Sequence, residues 1–336
     1  MHRLGALCLG GYNDLLPAGL SMQDVKPGTC SDPVDTLQDQ GKVASWIAEI
    51  TGKPESEVRS RLRAEYEAPG STVAQALRDA GIEFYSWSDD LARFYEETDA
   101  FLYELVVWNQ NRLKGWLRRA VAKHLEKRQS GALKVLSIGD GLGFDSLCFA
   151  RAGHRMTYYE VPGYTEAFAR RNFADAAVDI TVLTKEADIP RGAFDTVISL
   201  DVLEHLPSPP DAVRQIAEYL RPGGRLIVNA PFAVIHPTVA THLESNRKYS
   251  GSLSLFTQAG FRLLDGEIIW APLVLQRVSP GQSRPRQWTP KRLALRLGGC
   301  ALAVGRYPIL PLGSVSTRQR LGRWFSEDSG AAAAPG

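Results

Sequence analysis

Hydrophobic and polar positions along residues 131–280 follow a pattern that predicts strands separated by helices. Short apolar runs, typical of buried parallel strands, occupy residues 134–138, 155–160, 179–183, 194–200 and 225–229. Helical patterns are present at residues 144–152, 165–173, 211–220 and 247–259. Two further strands, 261–269 and 272–278, have too few residues between them for a helical crossover, so we expect them to be antiparallel. The pattern predicts an α/β fold: a doubly wound, Rossmann-like, seven-stranded sheet with an antiparallel last strand.

The chain on either side of this segment has a different character. Helical periodicity before residue 131 predicts a helical lid or substrate domain. Its last part, residues 90–128, is expected to be one long helix or a pair, with leucines on one face. The basic residues of the opposite face, among them Lys114 and Arg118, are expected to be solvated. The predicted organisation is an irregular arm (1–35), the helical lid (36–130), the sheet domain (131–280) and a basic C-terminal tail (281–336).

Composition narrows the class of protein. The 336 residues are 44% hydrophobic and 23% charged, which is typical of a soluble globular chain. A net charge of +2 does not favour a polyanion binder, and we expect no DNA partner. The sequence contains no apolar run long enough for a transmembrane span and no convincing signal peptide, so a cytoplasmic location is the expectation. The sequence is compatible with a homo-oligomer.

A glycine turn follows the first predicted strand. Gly139, Gly141 and Gly143 alternate with other residues before a helix begins. A turn without Cβ atoms lets a ligand approach the backbone closely. The dinucleotide pattern G-x-G-x-x-G/A fits poorly, because Phe144 or Ser146 occupies the position of the third small residue.

Carboxylates follow the next strands at positions where open sheets bind ligands. Glu160 ends the second strand, 21 residues after Gly139, where it can accept hydrogen bonds from both hydroxyls of a ribose. Glu186 and Asp188 precede the fourth strand, and either could meet an adenine amino group; we take Asp188 as the candidate.

Two further motifs resemble those of class I S-adenosylmethionine (SAM) methyltransferases, in the small-molecule group that includes ubiquinone-pathway O-methyltransferases. They are Leu200-Asp-Val-Leu-Glu-His-Leu206 after the fourth strand and Leu220-Arg-Pro-Gly-Gly-Arg-Leu-Ile-Val228 entering the fifth. Together with the glycine turn, they cover residues 131–280. The sequence departs at Ser137, where the family commonly has an acid; the neighbouring Asp140 is a candidate substitute. The resemblance implies that SAM is the cofactor and that Gly139, Asp140, Gly141, Gly143, Glu160, Asp188 and Asp201 hold it.

The resemblance implies methyl transfer to a small-molecule acceptor, and we expect the acceptor atom to be a hydroxyl oxygen. A hydroxyl acceptor needs a base, and the candidates are His205, His236 and His242. The last two lie in a segment after the fifth strand.

Two alternatives stay open. Asp201, Glu204, His205 and His242 resemble the cluster of metal-dependent 2′-O-methyltransferases of small RNAs, and a divalent Mg²⁺ or Mn²⁺ could assist methylation of RNA or a sugar there. The sequence does not favour this metal. The second alternative is a non-catalytic partner subunit with a SAM-binding fold, against which the intact glycine turn and Glu160 argue.

Overall fold

The computed structural model describes residue 37 and residues 39–127, 131–267, 271–278 and 289–304. The predicted arm at residues 1–35 lies outside the described residues, as does most of the basic tail. Within the tail, Pro290–Val304 form a helix.

The described part of the chain has six α-helices before the first strand. They are α1 (Gln40–Thr51), α2 (Glu55–Glu67), α3 (Ser71–Asp79), α4 (Asp89–Glu97), α5 (Ala100–Asn109) and α6 (Arg112–Glu126). The expectation of one helix or a pair over residues 90–128 is wrong, because three helices occupy it. Thr98 is extended between α4 and α5, and the side chain of Asn111 accepts a hydrogen bond from the Leu113 backbone N–H, which starts α6 anew.

Seven strands form one sheet in the order β3-β2-β1-β4-β5-β7-β6. They are β1 (Lys134–Ile138), β2 (Arg155–Tyr159), β3 (Thr181–Leu183), β4 (Phe194–Leu200), β5 (Leu220–Asn229), β6 (Phe261–Gly266) and β7 (Leu273–Arg277). The strands β1 to β5 are parallel, and β7 lies between β5 and β6, antiparallel to both. The predicted Rossmann-like sheet with an antiparallel last strand is confirmed.

Helices that follow the strands cover both faces of this sheet. They are α7 (Phe144–Arg151), α8 (Tyr164–Asp175), α9 (Pro209–Tyr219), α10 (Ser254–Thr257) and α11 (Pro290–Val304). The helix predicted over residues 247–259 is wrong: a 3₁₀ helix, Glu244–Tyr249, and the four-residue α10 take its place. Gly251 lies between them with a φ of +70°, a left-handed conformation that an α-helix cannot contain.

The N-terminal helices pack directly on the sheet domain. Buried side chains of α1, α2 and α5 share one hydrophobic cluster with those of α7 and α8, and the Trp46 ring meets the Phe168 ring edge to face with centroids 5.7 Å apart. A second cluster joins α3, α4 and α5 to Ala240 and Leu243, in the segment after β5. The helices therefore lie over the carboxyl ends of the strands. None of the helices in the described ranges is long and apolar enough to cross a membrane.

Candidate functional site

A cavity of about 1000 Å³ lies at the carboxyl ends of β1, β2, β4 and β5. The sheet supplies the loops after these strands, and α4 and α5 supply Tyr95, Glu104 and Trp108 from the opposite side. Open parallel sheets bind their ligands at this edge, because the loops there converge at the point where the strand order reverses.

The glycine turn forms one wall of the cavity, through Gly139 and Gly141. All three glycines of the turn have positive φ, between +60° and +77°. A Cβ on Gly139 would lie 2.5 Å from Val202 Cγ2, and one on Gly141 would lie 2.6 Å from Leu105 Cδ1. The turn therefore tolerates no side chain, and its backbone is open to a ligand.

The Glu160 carboxylate is positioned directly against this turn. Its Oε2 accepts a hydrogen bond from the Gly141 N–H at 2.8 Å, and Oε1 accepts from the Val161 N–H at 3.1 Å. Burial raises the pKa of Glu160 to about 7, although both N–H donors lower it. The predicted pairing of the glycine turn with an acid at the end of β2 is therefore present in the geometry.

Of the two acids before β4, only Glu186 lines the cavity. The Tyr219 hydroxyl donates a hydrogen bond of 3.0 Å to it. Asp188, our candidate from the sequence, is exposed and is not among the lining residues. The position of Glu186 makes it the better candidate for the adenine end.

Asp140 stabilises the start of the helix that follows the glycine turn. Its carboxylate accepts hydrogen bonds from the backbone N–H groups of Asp145 and Ser146, at 3.2 and 2.6 Å, which caps α7; Asp140 is not among the residues lining the cavity. Burial, and then the charge of Asp145, raise the pKa of Asp140 to about 7. Ser137, where the family commonly has an acid, is buried in β1.

A buried ion cluster that the sequence did not indicate holds the same helix start. Asp145 Oδ2 lies 2.8 Å from Lys114 Nζ, and Oδ1 lies 2.7 Å from Arg118 Nε. The prediction that Lys114 and Arg118 are solvated is wrong, because both are buried. Burial alone would raise the pKa of Asp145, but Lys114 and Arg118 outweigh it and lower that pKa. Helix α6 is thereby fixed to the glycine turn.

Asp201 lies at the end of β4 with a left-handed φ of +59°. The Asn229 side chain, from the end of β5, donates a hydrogen bond to Oδ1, and Oδ2 is buried without a partner among the described residues. Burial raises the pKa of Asp201. Its place in the cavity wall agrees with the role that the sequence predicted near the cofactor.

Glu204, His205 and His242 converge in the cavity, with potential ligand atoms within 4.8 Å of one another. The Nε2 atoms of the two imidazoles lie 4.0 and 3.9 Å from Glu204 Oε1. Glu204 is 1% exposed, and neither of its carboxyl oxygens has a hydrogen-bond partner within the described part of the chain. Burial raises its pKa well above the usual range.

Both histidines of this cluster are oriented through their Nδ1 atoms. His242 Nδ1 lies 2.7 Å from the Val234 carbonyl oxygen, and His205 Nδ1 lies 3.2 Å from that of Thr241 and 3.0 Å from the Tyr95 hydroxyl. Because a carbonyl can only accept, Nδ1 carries the hydrogen and the Nε2 lone pairs are free. Burial lowers the pKa of His205 to about 4 and that of His242 well below its usual value, so both rings are neutral.

His236, the third candidate base, is not brought to this cluster. It is exposed, and its Nδ1 accepts a hydrogen bond from the Thr238 backbone N–H at the start of a short 3₁₀ helix. His236 is not among the residues lining the cavity.

Glu104, which lines the cavity from α5, was not among the residues predicted from the sequence. The available signal was a lone carboxyl inside the otherwise apolar and aromatic run of residues 100–108. An acid in such a run is placed among buried neighbours, where it needs a partner.

The central part of the chain is similar to known proteins. Residues 106–264 match a family model described as a methyltransferase domain. This match covers a little under half of the chain. The ubiquinone biosynthesis O-methyltransferases of Xanthomonas euvesicatoria pv. vesicatoria and Pseudomonas aeruginosa are 33% and 34% identical over 101 and 100 residues. Each match covers 29% of this chain and 42% or 43% of the relative, so the chain matches less than half of these relatives' length.

Among solved structures, the chain is similar to a Burkholderia thailandensis 1,6-didemethyltoxoflavin-N1-methyltransferase, which has S-adenosylhomocysteine bound. That similarity has 18% identity and a TM-score of 0.40, and it covers 57% of this chain and 87% of the other. The resemblance of the sequence motifs to class I SAM-dependent methyltransferases is confirmed for the matched domain.

Proposed function

We propose that this protein is a SAM-dependent methyltransferase that transfers a methyl group to a hydroxyl of a small molecule. The observation that supports this most strongly is the Glu160 carboxylate beside the glycine turn, in the wall of the cavity. The names of the curated relatives agree with an oxygen acceptor, although they match only part of this chain.

The residues at this end of the cavity fit an adenosyl cofactor. Gly139 and Gly141 line the cavity with backbone atoms alone, so a cofactor could approach them closely. Glu160 would accept hydrogen bonds from the ribose hydroxyls, Glu186 or Asp188 would accept one from the adenine amino group, and Asp201 would face the methionine part. When bound, SAM supplies a methyl group that is already activated for displacement, so the protein has chiefly to position the acceptor and exclude water.

The acceptor end provides groups that can take a proton. His205 and His242 line the cavity with their Nε2 atoms beside Glu204, and a positioned base contributes about 10²–10⁴-fold to proton transfer. Helices α4 and α5 close the cavity from above, which suits a small acceptor better than a polymer. His236 is the least favoured of the three predicted bases because of its exposed position.

Calorimetric titration with S-adenosylhomocysteine tests the cofactor assignment. We expect binding by the native chain and a loss of about 10- to 100-fold in Glu160→Gln, since hydrogen bonds to a charged group contribute about 1.5–3 kcal/mol. Glu49→Gln, which alters an exposed carboxyl on α1, is the matched control. If the native chain shows no binding, the assignment fails and the non-catalytic partner subunit becomes the leading interpretation. A labelled-methyl assay on cell extracts, with mass spectrometry of the product, tests the hydroxyl acceptor.

Metal-assisted methylation is a second candidate, favoured by one observation. Glu204 is buried, its two oxygens have no hydrogen-bond partner among the residues that the structure describes, and the Nε2 lone pairs of two histidines lie beside it. Two imidazoles and a carboxylate suit a divalent transition metal, and the carbonyl contacts at Nδ1 are of the kind that orient histidine ligands. Asp201, the fourth residue of the predicted cluster, is not among these convergent groups. Such a metal would orient an acceptor hydroxyl and lower its pKa.

Chelation separates the two candidates. Metal assistance predicts that EDTA abolishes methyl transfer, that Mn²⁺ or Mg²⁺ restores it, and that His242→Ala loses both the activity and the metal. His236→Ala is the matched control, because His236 lies outside the cluster. Full activity in excess EDTA would reject this candidate and leave His205 and His242 as proton acceptors. An RNA acceptor is less favoured than a sugar, since no lysine or arginine of the described residues lines the cavity.

A cytoplasmic location, a role in small-molecule biosynthesis and a homo-oligomeric state also stay predictions. Cell fractionation and light scattering of the purified chain would test the first and the third.

A further inference from the structure

The charge lining the cavity is one-sided. Nine carboxyl side chains and no lysine or arginine line it, among the residues that the structure describes. Glu160 and Asp201 belong to the cofactor end, and Glu186 lies beside them near β4. The acids on the side of the N-terminal helices are not explained by the cofactor. An acceptor that carries a carboxylate or a phosphate would meet no lysine or arginine of the described residues there.

Glu104 is the acid on this side that lacks a partner. Its side chain forms no hydrogen bond or ion pair with the described residues, yet it lines the cavity from α5. Glu65, the acid next to it, accepts hydrogen bonds from the backbone N–H groups of Gly70 and Thr72, so its oxygens are occupied. Burial, and then the charge of Glu65, raise the pKa of Glu104 to about 8. A cation beside a buried carboxyl without a partner would stabilise its ionised form.

The position of Glu104 assigns it to the acceptor end. Its neighbour Glu65 binds Gly70, and Gly70 packs against the Thr238 backbone in the segment after β5. Tyr95, whose pKa is raised by burial and by the charges of Glu104, Glu204 and Glu160, contacts His205 through its hydroxyl. Glu104 therefore lines the same part of the cavity as Tyr95 and the candidate base His205. The Glu204 carboxyl is 1% exposed, and its oxygens also lack a hydrogen-bond partner among the described residues.

Aromatic rings accompany these acids. Tyr95 and Phe101 stack with centroids 4.9 Å apart, and both line the cavity, as do Trp87 and Trp108. Aromatic faces attract cations and bind apolar groups, so rings combined with unpaired carboxyls suit an organic ammonium ion.

We propose that the methyl acceptor carries a protonated amine, and that Glu104 binds this charge through an ion-paired hydrogen bond. The inference rests on the proposed methyltransferase function and narrows its substrate class to cationic, partly aromatic or apolar small molecules.

Three phenols of matched shape and different charge test this inference. They are tyramine, a cation; 4-ethylphenol, which is neutral; and 3-(4-hydroxyphenyl)propanoate, an anion. Binding is measured by calorimetry at pH 7 with saturating S-adenosylhomocysteine and with EDTA, so that no metal occupies Glu204. We expect tyramine to bind at least about tenfold more tightly than 4-ethylphenol, and the anion to bind most weakly.

Variants test whether the preference for tyramine depends on Glu104. Glu104→Gln should remove the tyramine preference while leaving 4-ethylphenol unchanged, and Glu97→Gln, which alters an exposed carboxyl on α4, should keep it. Equal binding of the three probes, whether tight or undetectable, overturns the inference. A Glu104→Gln variant that loses affinity for S-adenosylhomocysteine but keeps the preference also overturns it, because Glu104 would then serve the cofactor. Failure of the native chain to bind S-adenosylhomocysteine counts against the proposed function itself.

Discussion

Replacing Asp145 with asparagine is expected to destabilise the fold by about 3 kcal/mol. The carboxylate lies 2.8 Å from Lys114 Nζ and 2.7 Å from Arg118 Nε, and the three side chains are 3%, 6% and 1% exposed. Breaking a buried pair by removing one partner leaves uncompensated charge and costs about 3–5 kcal/mol. Here two cations lose their partner at once. Asp140 is expected to offset part of this loss of stability. Burial and the charge of Asp145 raise its pKa, so the pKa should fall when Asp145 is replaced, and the ionised Asp140 would then compensate part of the buried positive charge.

Urea denaturation followed by tryptophan fluorescence measures this loss. Domains are typically stable by about 5–15 kcal/mol, so a change of about 3 kcal/mol shifts the unfolding midpoint clearly. Asp90→Asn is the control: it breaks an ion pair with Arg93 in which both side chains are more than 60% exposed, and it should cost less than about 1 kcal/mol. If Asp145→Asn proves no more destabilising than Asp90→Asn, the buried cluster does not hold the glycine turn as we argue.

Two further predictions concern the turn and its acid. Gly143→Ala should cost more stability than Gly192→Ala in thermal unfolding: both have positive φ, but a Cβ at 143 would lie 2.5 Å from Phe173 Cζ, whereas at 192 it would meet nothing within 4 Å. We expect about 1 kcal/mol of backbone strain for Gly192→Ala and about 1–3 kcal/mol more for Gly143→Ala; equal losses would contradict the close contact. The affinity for S-adenosylhomocysteine should rise by about tenfold from about pH 6 to about pH 8. Burial raises the pKa of Glu160 to about 7, and the carboxylate, which accepts hydrogen bonds best, is populated only above that value. Asp140 titrates in the same range, so Glu160→Gln is the control: its affinity should be low and independent of pH, and a persisting slope would assign the effect elsewhere.

The sheet could be predicted because its strands carry a strong local signal. Apolar runs such as residues 134–138 and 194–200 have the composition of fully buried strands, and the two last strands are too close together for a crossover. The helix predicted over residues 247–259 was wrong because apolar spacing outweighed the signal of Gly251, whose left-handed φ interrupts the helix. The helix break at residue 111 was not predicted, because it depends on a single hydrogen bond from the Leu113 N–H to the Asn111 side chain, which the apolar pattern of residues 90–128 does not reveal.

The candidate site could be predicted only in part, since sequence spacing does not give side-chain direction. The glycines and Glu160 follow strands directly, so their place at the sheet edge follows from topology. Lys114 and Arg118 belong to a strongly basic helix, and only the fold shows that they turn inward to meet Asp145. His236 and His242 are six residues apart in one loop, and nothing in the sequence indicated that only the second would reach Glu204.

The interior position of β7 affects how the chain can fold during synthesis. The edge of β5 at residues 225–228 pairs with residues 273–276, so it stays unsatisfied until almost fifty more residues have left the ribosome. A nascent or prematurely terminated chain that stops before residue 273 would expose an apolar, unpaired strand edge, which is a template for aggregation. We therefore expect chains that end before residue 273 to be less soluble than the full chain.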